Sequence, residues 1–211
     1  MTTKTTQPIT PGQESERTNM DPRLEKFLRR AFKAFNRFML LMWRLGLGSW
    51  FNYPSIGGQI MVIVHVGRKT GLRRRTPVNF AVVDGELYCT SGFGRFSDWY
   101  RNICVQPKVE VWLPHERWLG EVEDVTSASN YVRLMREVLI GSGFAARLAG
   151  INPRAMSDED LIVATYGYRL LRIRRTAAAA GPGGPADLTW IWPLAGLILL
   201  IWMRRPFRSR R

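Results

Sequence analysis

Two apolar runs joined by a single tight turn constrain the fold of this chain most strongly. The runs are Pro77–Val83 and Glu86–Ser91, and only Asp84 and Gly85 lie between them. Asp-Gly between strand-like segments is a strong signal for a two-residue hairpin, because both residues adopt positive φ readily. The sequence therefore predicts an antiparallel strand pair here, to which neighbouring segments can add.

Other segments supply further strands and a helix. The β-branched run Gln59–Val66 is typical of a strand buried on both faces, and Lys108–Leu113 with Trp118–Val125 predicts a second strand pair. We expect a helix from about Ser127 to Leu139 and a last strand over Tyr168–Ile173. These elements predict an α+β, mostly β fold, in which antiparallel strands close into a barrel with flanking helices.

The segments that flank this domain differ from it in composition. Polar residues predict a disordered leader, apolar residues at helical spacing predict a basic amphipathic helix, and Ala, Gly and Pro predict a linker. The predicted organisation is leader 1–20, amphipathic helix 21–45, barrel domain 46–175, linker 176–187, transmembrane helix 188–203 and basic tail 204–211.

The transmembrane prediction depends on an uncharged run with tryptophans at both ends. Leu188–Met203 contains no charged residue, and five arginines follow it. At ~1.5 Å per residue the run spans roughly 24 Å, less than the ~30 Å hydrocarbon core. Snorkelling arginines and interfacial tryptophans are expected to cover the difference. We therefore expect a single C-terminal membrane span, with the barrel domain in the cytoplasm.

Charge and cysteine content exclude some functions. The chain has 31 Lys and Arg against 17 Asp and Glu, a net charge of +14 that attracts nucleic acid, anionic lipid or a phosphate-bearing cofactor. No RNP-like or helix-turn-helix pattern accompanies this charge, so we do not expect nucleic-acid binding. Two cysteines outside any C-x-x-C pair and two histidines predict neither a metal site nor a disulfide framework, which suits a reducing cytoplasm.

The densest functional signal is the cationic loop, which we define as Gly67–Pro77. It carries five cations, with glycines at Gly67 and Gly71. Backbone amides freed by glycine, beside Lys and Arg, can hold a phosphate or carboxylate. The order of residues is not that of a P-loop, because Arg-Lys-Thr lies between the glycines. The alternative is a solvated basic turn without a ligand.

A second signal follows the hairpin directly, in the segment Ser91–Asn102. Its small residues would let a planar ring approach the backbone, where Trp99 could wall the ring and Asn102 could hydrogen-bond to it. The alternative is a tight loop with Trp99 in the core.

Together the two segments resemble the deazaflavin-dependent nitroreductase family of the split β-barrel flavin and deazaflavin oxidoreductases. The resemblance covers about residues 22–175 and is carried by Gly67–Gly71, Arg74, Thr76-Pro77, Ser91-Gly92, Trp99–Asn102 and Gln106-Pro107. It implies binding of reduced coenzyme F-420, an 8-hydroxy-5-deazaflavin, with Arg68, Lys69 and Arg74 on the phosphate and glutamate tail. The full set of cofactor-binding residues that it implies is Arg68, Lys69, Thr70, Arg74, Arg75, Thr76, Pro77, Ser91, Gly92, Asp98, Trp99, Tyr100 and Asn102, with Tyr166 as a candidate over the substrate.

The function that this resemblance implies is hydride transfer from the reduced deazaflavin to a quinone-like or nitro acceptor at the membrane. No side-chain nucleophile is expected, because the cofactor itself carries the hydride. Two alternatives stay open: the barrel binds flavin mononucleotide instead, or the chain is a non-catalytic, membrane-anchored binding module whose loop meets anionic lipid. Split barrels often pair, so a homodimer also stays open.

Overall fold

Six antiparallel strands close into a barrel in the computed structural model, which describes residues 34–52, 58–114 and 116–203. The strands are β1 (Ile60–Val66), β2 (Arg73–Val83), β3 (Glu86–Ser91), β4 (Lys108–Trp112), β5 (Arg117–Asp124) and β6 (Arg169–Ala178). Their order around the barrel is β1-β2-β3-β6-β5-β4, and every neighbouring pair is antiparallel. The predicted closed antiparallel barrel is confirmed.

Several helices accompany the barrel in the described residues. They are α1 (34–44), α2 (Asp98–Val105), α3 (Tyr131–Gly141), α4 (Phe144–Leu148), α5 (Asp158–Ala164) and α6 (Ile191–Met203), with short 3-10 helices at Gly48–Phe51 and Gly94–Phe96. The chain divides into two compact units, Met1–Arg37 and Phe38–Arg211, and the barrel lies wholly in the second.

The predicted hairpin lies between β2 and β3. Asp84 and Gly85 both have positive φ, 52° and 79°, and Val83 pairs with Glu86 across the turn. A two-residue loop with this backbone matches the natural twist of the strands. The Asp-Gly signal therefore determined both the turn and the register of this pair.

The barrel interior is filled by alternate residues of every strand. Met61 and Ile63 of β1 face Phe80 of β2 and partners from the remaining strands, while Tyr100 and Ile103 of α2 enter from one end. Burying each large side chain contributes about 1.5–3 kcal/mol. The residues just before α2, 91–97, form what we call the Ser-Gly loop. Because α2 is hydrogen-bonded to Arg68, this loop lies at the same end of the barrel as the β1–β2 connection.

The outer face of the barrel is covered on two sides. Leu134 and Val138 of α3 pack over Ala81 of β2, while Trp43 of α1 packs with Trp112 on the outer face of β1 and β4. The helix α1 is the described part of the predicted amphipathic helix 21–45, whose residues 21–33 lie outside the described residues, as do the leader 1–20 and the tail 204–211.

The prediction of a transmembrane helix over residues 188–203 is not supported. The helix α6 begins at Ile191 and has 13 residues, because the residues before it form turns whose backbone bonds to α1, including Leu188 N to the Arg44 carbonyl at 2.8 Å. Across the three described stretches of the chain, no helix combines the length and apolarity needed to cross a bilayer.

Candidate functional site

The cationic loop is a tight turn between β1 and β2. The Gly67 amide donates to the Leu72 carbonyl at 2.9 Å, and the Gly71 amide donates to the Gly67 carbonyl at 2.8 Å. A Cβ atom at Gly67 would lie 2.8 Å from the Nε atom of Arg74, so a larger residue there would make the Arg74 side chain shift. Lys69 and Arg74 are both exposed on this turn.

Arg68 ties this loop to α2. Its backbone amide donates to Oδ1 of Asn102 at 3.1 Å, and its guanidinium donates to the same oxygen at 3.0 Å and to Asp98 at 2.9 Å. This hydrogen bond from Arg68 holds the pKa of Asp98 below its usual range. The Arg68 side chain therefore already has protein partners, and its first role is to hold the loop in place.

A buried histidine completes the attachment. His65 is 2% exposed and lies at the end of β1, between Asn102 and Thr76. Since Oδ1 of Asn102 accepts from Arg68, its amide nitrogen donates to Nδ1 of His65 at 3.3 Å. The proton of the neutral ring then sits on Nε2, which donates to the Thr76 hydroxyl at 3.1 Å. The network Arg68-Asn102-His65-Thr76 links loop, helix and both strands.

Acid is expected to destabilise this network. Burial, together with the positive charge of Arg74, lowers the pKa of His65 below its ordinary value of 6.5. The unfolded chain then binds more protons than the folded chain between the lowered pKa and 6.5, so the free energy of unfolding falls as the pH drops through that window. Urea unfolding at a series of pH values measures this.

The variant His65→Gln supplies the control for that titration. It keeps hydrogen-bonding groups but does not titrate, so its stability should lose the component of pH dependence that begins near neutral pH. An identical pH profile in both proteins would show that His65 is not the group responsible.

The strand β2 divides the predicted site residues between two faces. Successive side chains alternate, so Arg74 and Thr76 share the face of His65, whereas Arg75 and Pro77 lie on the other face. The Arg75 guanidinium lies 5.3 Å from the ring centre of Trp112 on the outside of the barrel. The structure therefore does not bring Arg75 together with Lys69 and Arg74.

The Ser-Gly loop packs closely beside the turn that precedes β6. Ser91 is 1% exposed, and its hydroxyl lies 2.9 Å from that of Ser97. Gly94 has a φ of 51°, and a Cβ there would come within 2.0 Å of the Gly167 carbonyl oxygen, so this contact requires glycine. The same contact brings Tyr166, which is 67% exposed, next to the loop.

The two aromatic residues of α2 have different surroundings. Trp99 is partly buried and packs against the barrel core. Tyr100 lies inside the core, where its hydroxyl donates to Asp124 at 2.5 Å and burial raises its pKa. Of the two, Trp99 retains the exposed surface that a ligand could touch.

Sequence reasoning missed His65 and two exposed aromatic residues of the Ser-Gly loop. A polar residue within the apolar run Gln59–Val66 was a usable signal for His65. Phe93 and Phe96 are 72% and 86% exposed. They lie on the loop that contacts the segment of Tyr166 at Gly94. A cavity of about 960 Å³ lies elsewhere, between α3, α4 and the end of β2.

The sequence that forms this site matches a known protein family. Residues 47–145, which include the cationic loop and the Ser-Gly loop, match the family described as F420H(2)-dependent quinone reductase. The resemblance stated from the sequence is thereby confirmed. No curated protein matches the chain.

Similarity to solved structures is weaker. A conserved hypothetical protein from Mycobacterium tuberculosis is 16% identical, with 59% of this chain and 84% of that chain covered and a TM-score of 0.41. A protein of unknown function from Agrobacterium tumefaciens is 18% identical over 62% of this chain and 55% of its own, with a TM-score of 0.42. A protein described as an F420 reductase is 19% identical over 62% and 94%, with a TM-score of 0.39.

Proposed function

Because residues 47–145 match the family described as F420H(2)-dependent quinone reductase, we propose that this protein is a deazaflavin-dependent oxidoreductase. Its cofactor is coenzyme F-420. The observation that carries the proposal is the pair of exposed cations, Lys69 and Arg74, on a turn that Arg68 and Asn102 hold against α2.

The described residues fit the chemistry of such a cofactor. Its tail is anionic, and Lys69 and Arg74 are exposed cations on a turn held by backbone hydrogen bonds. Its ring is planar and apolar on both faces, and Trp99 offers a partly exposed aromatic surface on the adjoining helix. Arg68 contributes through position, since a phosphate would have to compete with Asp98 for it.

The chemistry divides simply between cofactor and protein. When bound, the reduced cofactor supplies a hydride and a proton. Lys69 and Arg74 would hold its tail, while the Arg68-Asn102-His65-Thr76 network holds the loop against α2 and Trp99 would lie beside the ring. No side chain has to act as a nucleophile or change its charge.

The acceptor is proposed to be lipophilic: a quinone at the membrane, with nitro compounds as a second substrate class. Phe96 lies on the Ser-Gly loop, which precedes Trp99, and Tyr166 lies on the segment that contacts this loop at Gly94. Both side chains are exposed. An apolar rim of this kind favours a flat, weakly polar acceptor over a charged one. The barrel is proposed to work in the cytoplasm, and pairing into a homodimer stays a prediction.

Anaerobic mixing of the full chain with reduced coenzyme F-420 and a short-chain quinone tests the proposal. Each cofactor that is oxidised should yield one quinol, because the quinone takes up two electrons and two protons. A nitroaromatic acceptor in a parallel reaction separates the two substrate classes. The variant Arg147→Ala on α4 is the control. It removes a positive charge far along the chain from the loop, and it should oxidise the cofactor at the wild-type rate.

The alternatives predict different results in the same experiment. Binding of flavin mononucleotide without binding of coenzyme F-420 would replace the proposed cofactor. If the folded chain bound neither, the protein would instead be a non-catalytic binding module.

A further inference from the structure

The helix α6 is apolar on every side and is exposed along its length. No charged residue occurs from Leu188 to Met203, and each residue from Trp192 to Met203 is exposed. Ile198 and Met203, for example, are 67% and 68% exposed. Contiguous apolar surface of this extent is rare on proteins that do not bind something there. The helix has no polar face that could be turned to water.

The base of α6 is held firmly against the end of α1. Arg44 forms a two-pronged ion pair with Asp187, at 2.9 and 3.0 Å. The indole nitrogen of Trp192 donates to the Leu45 carbonyl at 2.9 Å, and the Ala186 amide donates to the Trp43 carbonyl at 2.9 Å. Because Trp43 is buried against β1 and β4, the helix is connected to the barrel through packed structure.

The residues at the two ends of α6 indicate what would cover it. Trp190 and Trp192 lie at its start and Trp202 near its end, and five arginines follow it in the sequence. Tryptophan favours the boundary between headgroups and hydrocarbon, and arginine near a membrane is attracted to anionic lipid. A second copy of the chain fits less well, because two such arginine tails would repel each other.

We propose that α6 embeds in one leaflet of an anionic membrane, lying along the surface with both of its ends at headgroup depth. Its 13 residues give a length of roughly 20 Å at ~1.5 Å per residue. The folded domain at one end and the arginines at the other both need water or headgroups. A helix of this length meets both needs when it lies flat, with its apolar side chains below the headgroups.

Two further apolar side chains are exposed on the segments to either side of the attachment of α6. Leu41 of α1 and Trp50 of the following 3-10 helix are 45% and 73% exposed. They flank in sequence the turn to which Trp192 is hydrogen-bonded. The attachment through Arg44 and Asp187 would thus keep the barrel close to the lipid surface.

Flotation of the full chain with vesicles tests the proposal. The protein should float with vesicles that contain phosphatidylglycerol and bind much less to pure phosphatidylcholine. Leu200→Glu places a charge on an exposed position of α6 and should reduce binding more than tenfold without unfolding the barrel. Leu148→Glu makes the same change on α4, where the side chain is 73% exposed, and should bind normally.

Labelling of the residue at position 207 tests the orientation. In a Cys104→Ser background, Phe207→Cys should react with a membrane-impermeant thiol reagent outside intact vesicles, as expected if both ends stay on one side. Reaction only after vesicle lysis would mean that the chain crosses the bilayer and would overturn the proposal.

Two further results would also reject a lipid partner. One is that the wild-type chain stays unbound at every lipid composition. The other is that it forms a dimer without lipid that Leu200→Glu converts to monomers, which would identify a second copy as the partner. Cofactor titration of Leu200→Glu keeps this proposal separate from the enzymatic one, since affinity for coenzyme F-420 should not change.

Discussion

Replacing Arg74 with alanine is expected to weaken the binding of coenzyme F-420 by about 10- to 100-fold. The guanidinium is exposed beside Gly67, and its contact with the Thr70 hydroxyl is long, at 3.4 Å. It can therefore turn to an anionic tail at little cost. Losing one charge-assisted hydrogen bond costs about 1.5–3 kcal/mol, which corresponds to that range of dissociation constants. Fluorescence titration at moderate salt measures the change.

Two comparisons make this result specific. Arg147→Ala removes the same charge from α4 and should bind the cofactor like the wild type, while Arg74→Lys should recover part of the loss, because lysine keeps the charge but not the planar fork. The dependence of affinity on salt should be shallower in Arg74→Ala than in Arg147→Ala. Equal affinity in the two alanine variants would remove Arg74 from the site.

Arg68→Ala is expected to weaken cofactor binding by a different route from Arg74→Ala, although Arg68 directly follows the same glycine. Its side chain bonds to Asp98 and Asn102 in the free protein, so its loss releases the loop from α2. A positional role predicts that Asn102→Ala weakens cofactor binding in a similar way, even though Asn102 is 4% exposed.

Replacing Glu110 with alanine is expected to lower the free energy of unfolding by about 2–4 kcal/mol. The carboxylate is 7% exposed on the outer face of β4 and accepts hydrogen bonds from Arg73, Trp112 and Arg117 at 2.5 to 2.6 Å. Its removal leaves the buried indole N–H of Trp112 without this acceptor. It also leaves Arg117, which is 15% exposed, without its counter-charge. Exposure of Arg73 reduces the cost of losing that third partner.

Thermal and urea unfolding measure this loss against a matched variant. Glu121→Ala removes the same charge from an exposed position on neighbouring β5 and should change stability by at most about 0.5 kcal/mol. Glu110→Gln retains an acceptor oxygen and should fall between the two. If Glu110→Ala were as stable as Glu121→Ala, the ion-pair cluster would contribute nothing to the barrel.

Local patterns predicted the strands well where a single interaction decides the structure. Asp84-Gly85 requires only its own backbone conformation, and the observed hairpin follows it. The last strand was predicted over Tyr168–Ile173, yet β6 continues to Ala178, because its later residues pair with β5 across a bulge at Leu119 and Gly120. Alanine has little strand preference of its own, so this extension depends on its partner.

The candidate site shows the same division between local and long-range causes. The order of residues in the cationic loop and the Ser-Gly loop was sufficient to predict the family. Alternation along a strand predicts that Arg74 and Arg75 point to opposite faces, but not which of them points into the barrel. That depends on how β2 pairs with β1 and β3.

By itself the sequence determined the strand content, the hairpin, the glycine-bounded cationic turn and the family that the central segment matches. Only the tertiary structure decided that Arg68 is held by Asp98 and Asn102, that His65 supports them from the barrel end, and that α6 starts at Ile191 against α1. The physical reason is range: turns and strand patterns arise from neighbouring residues, whereas these contacts join positions 30 to 143 residues apart. Residues so far apart in the sequence form hydrogen bonds only when the barrel closes.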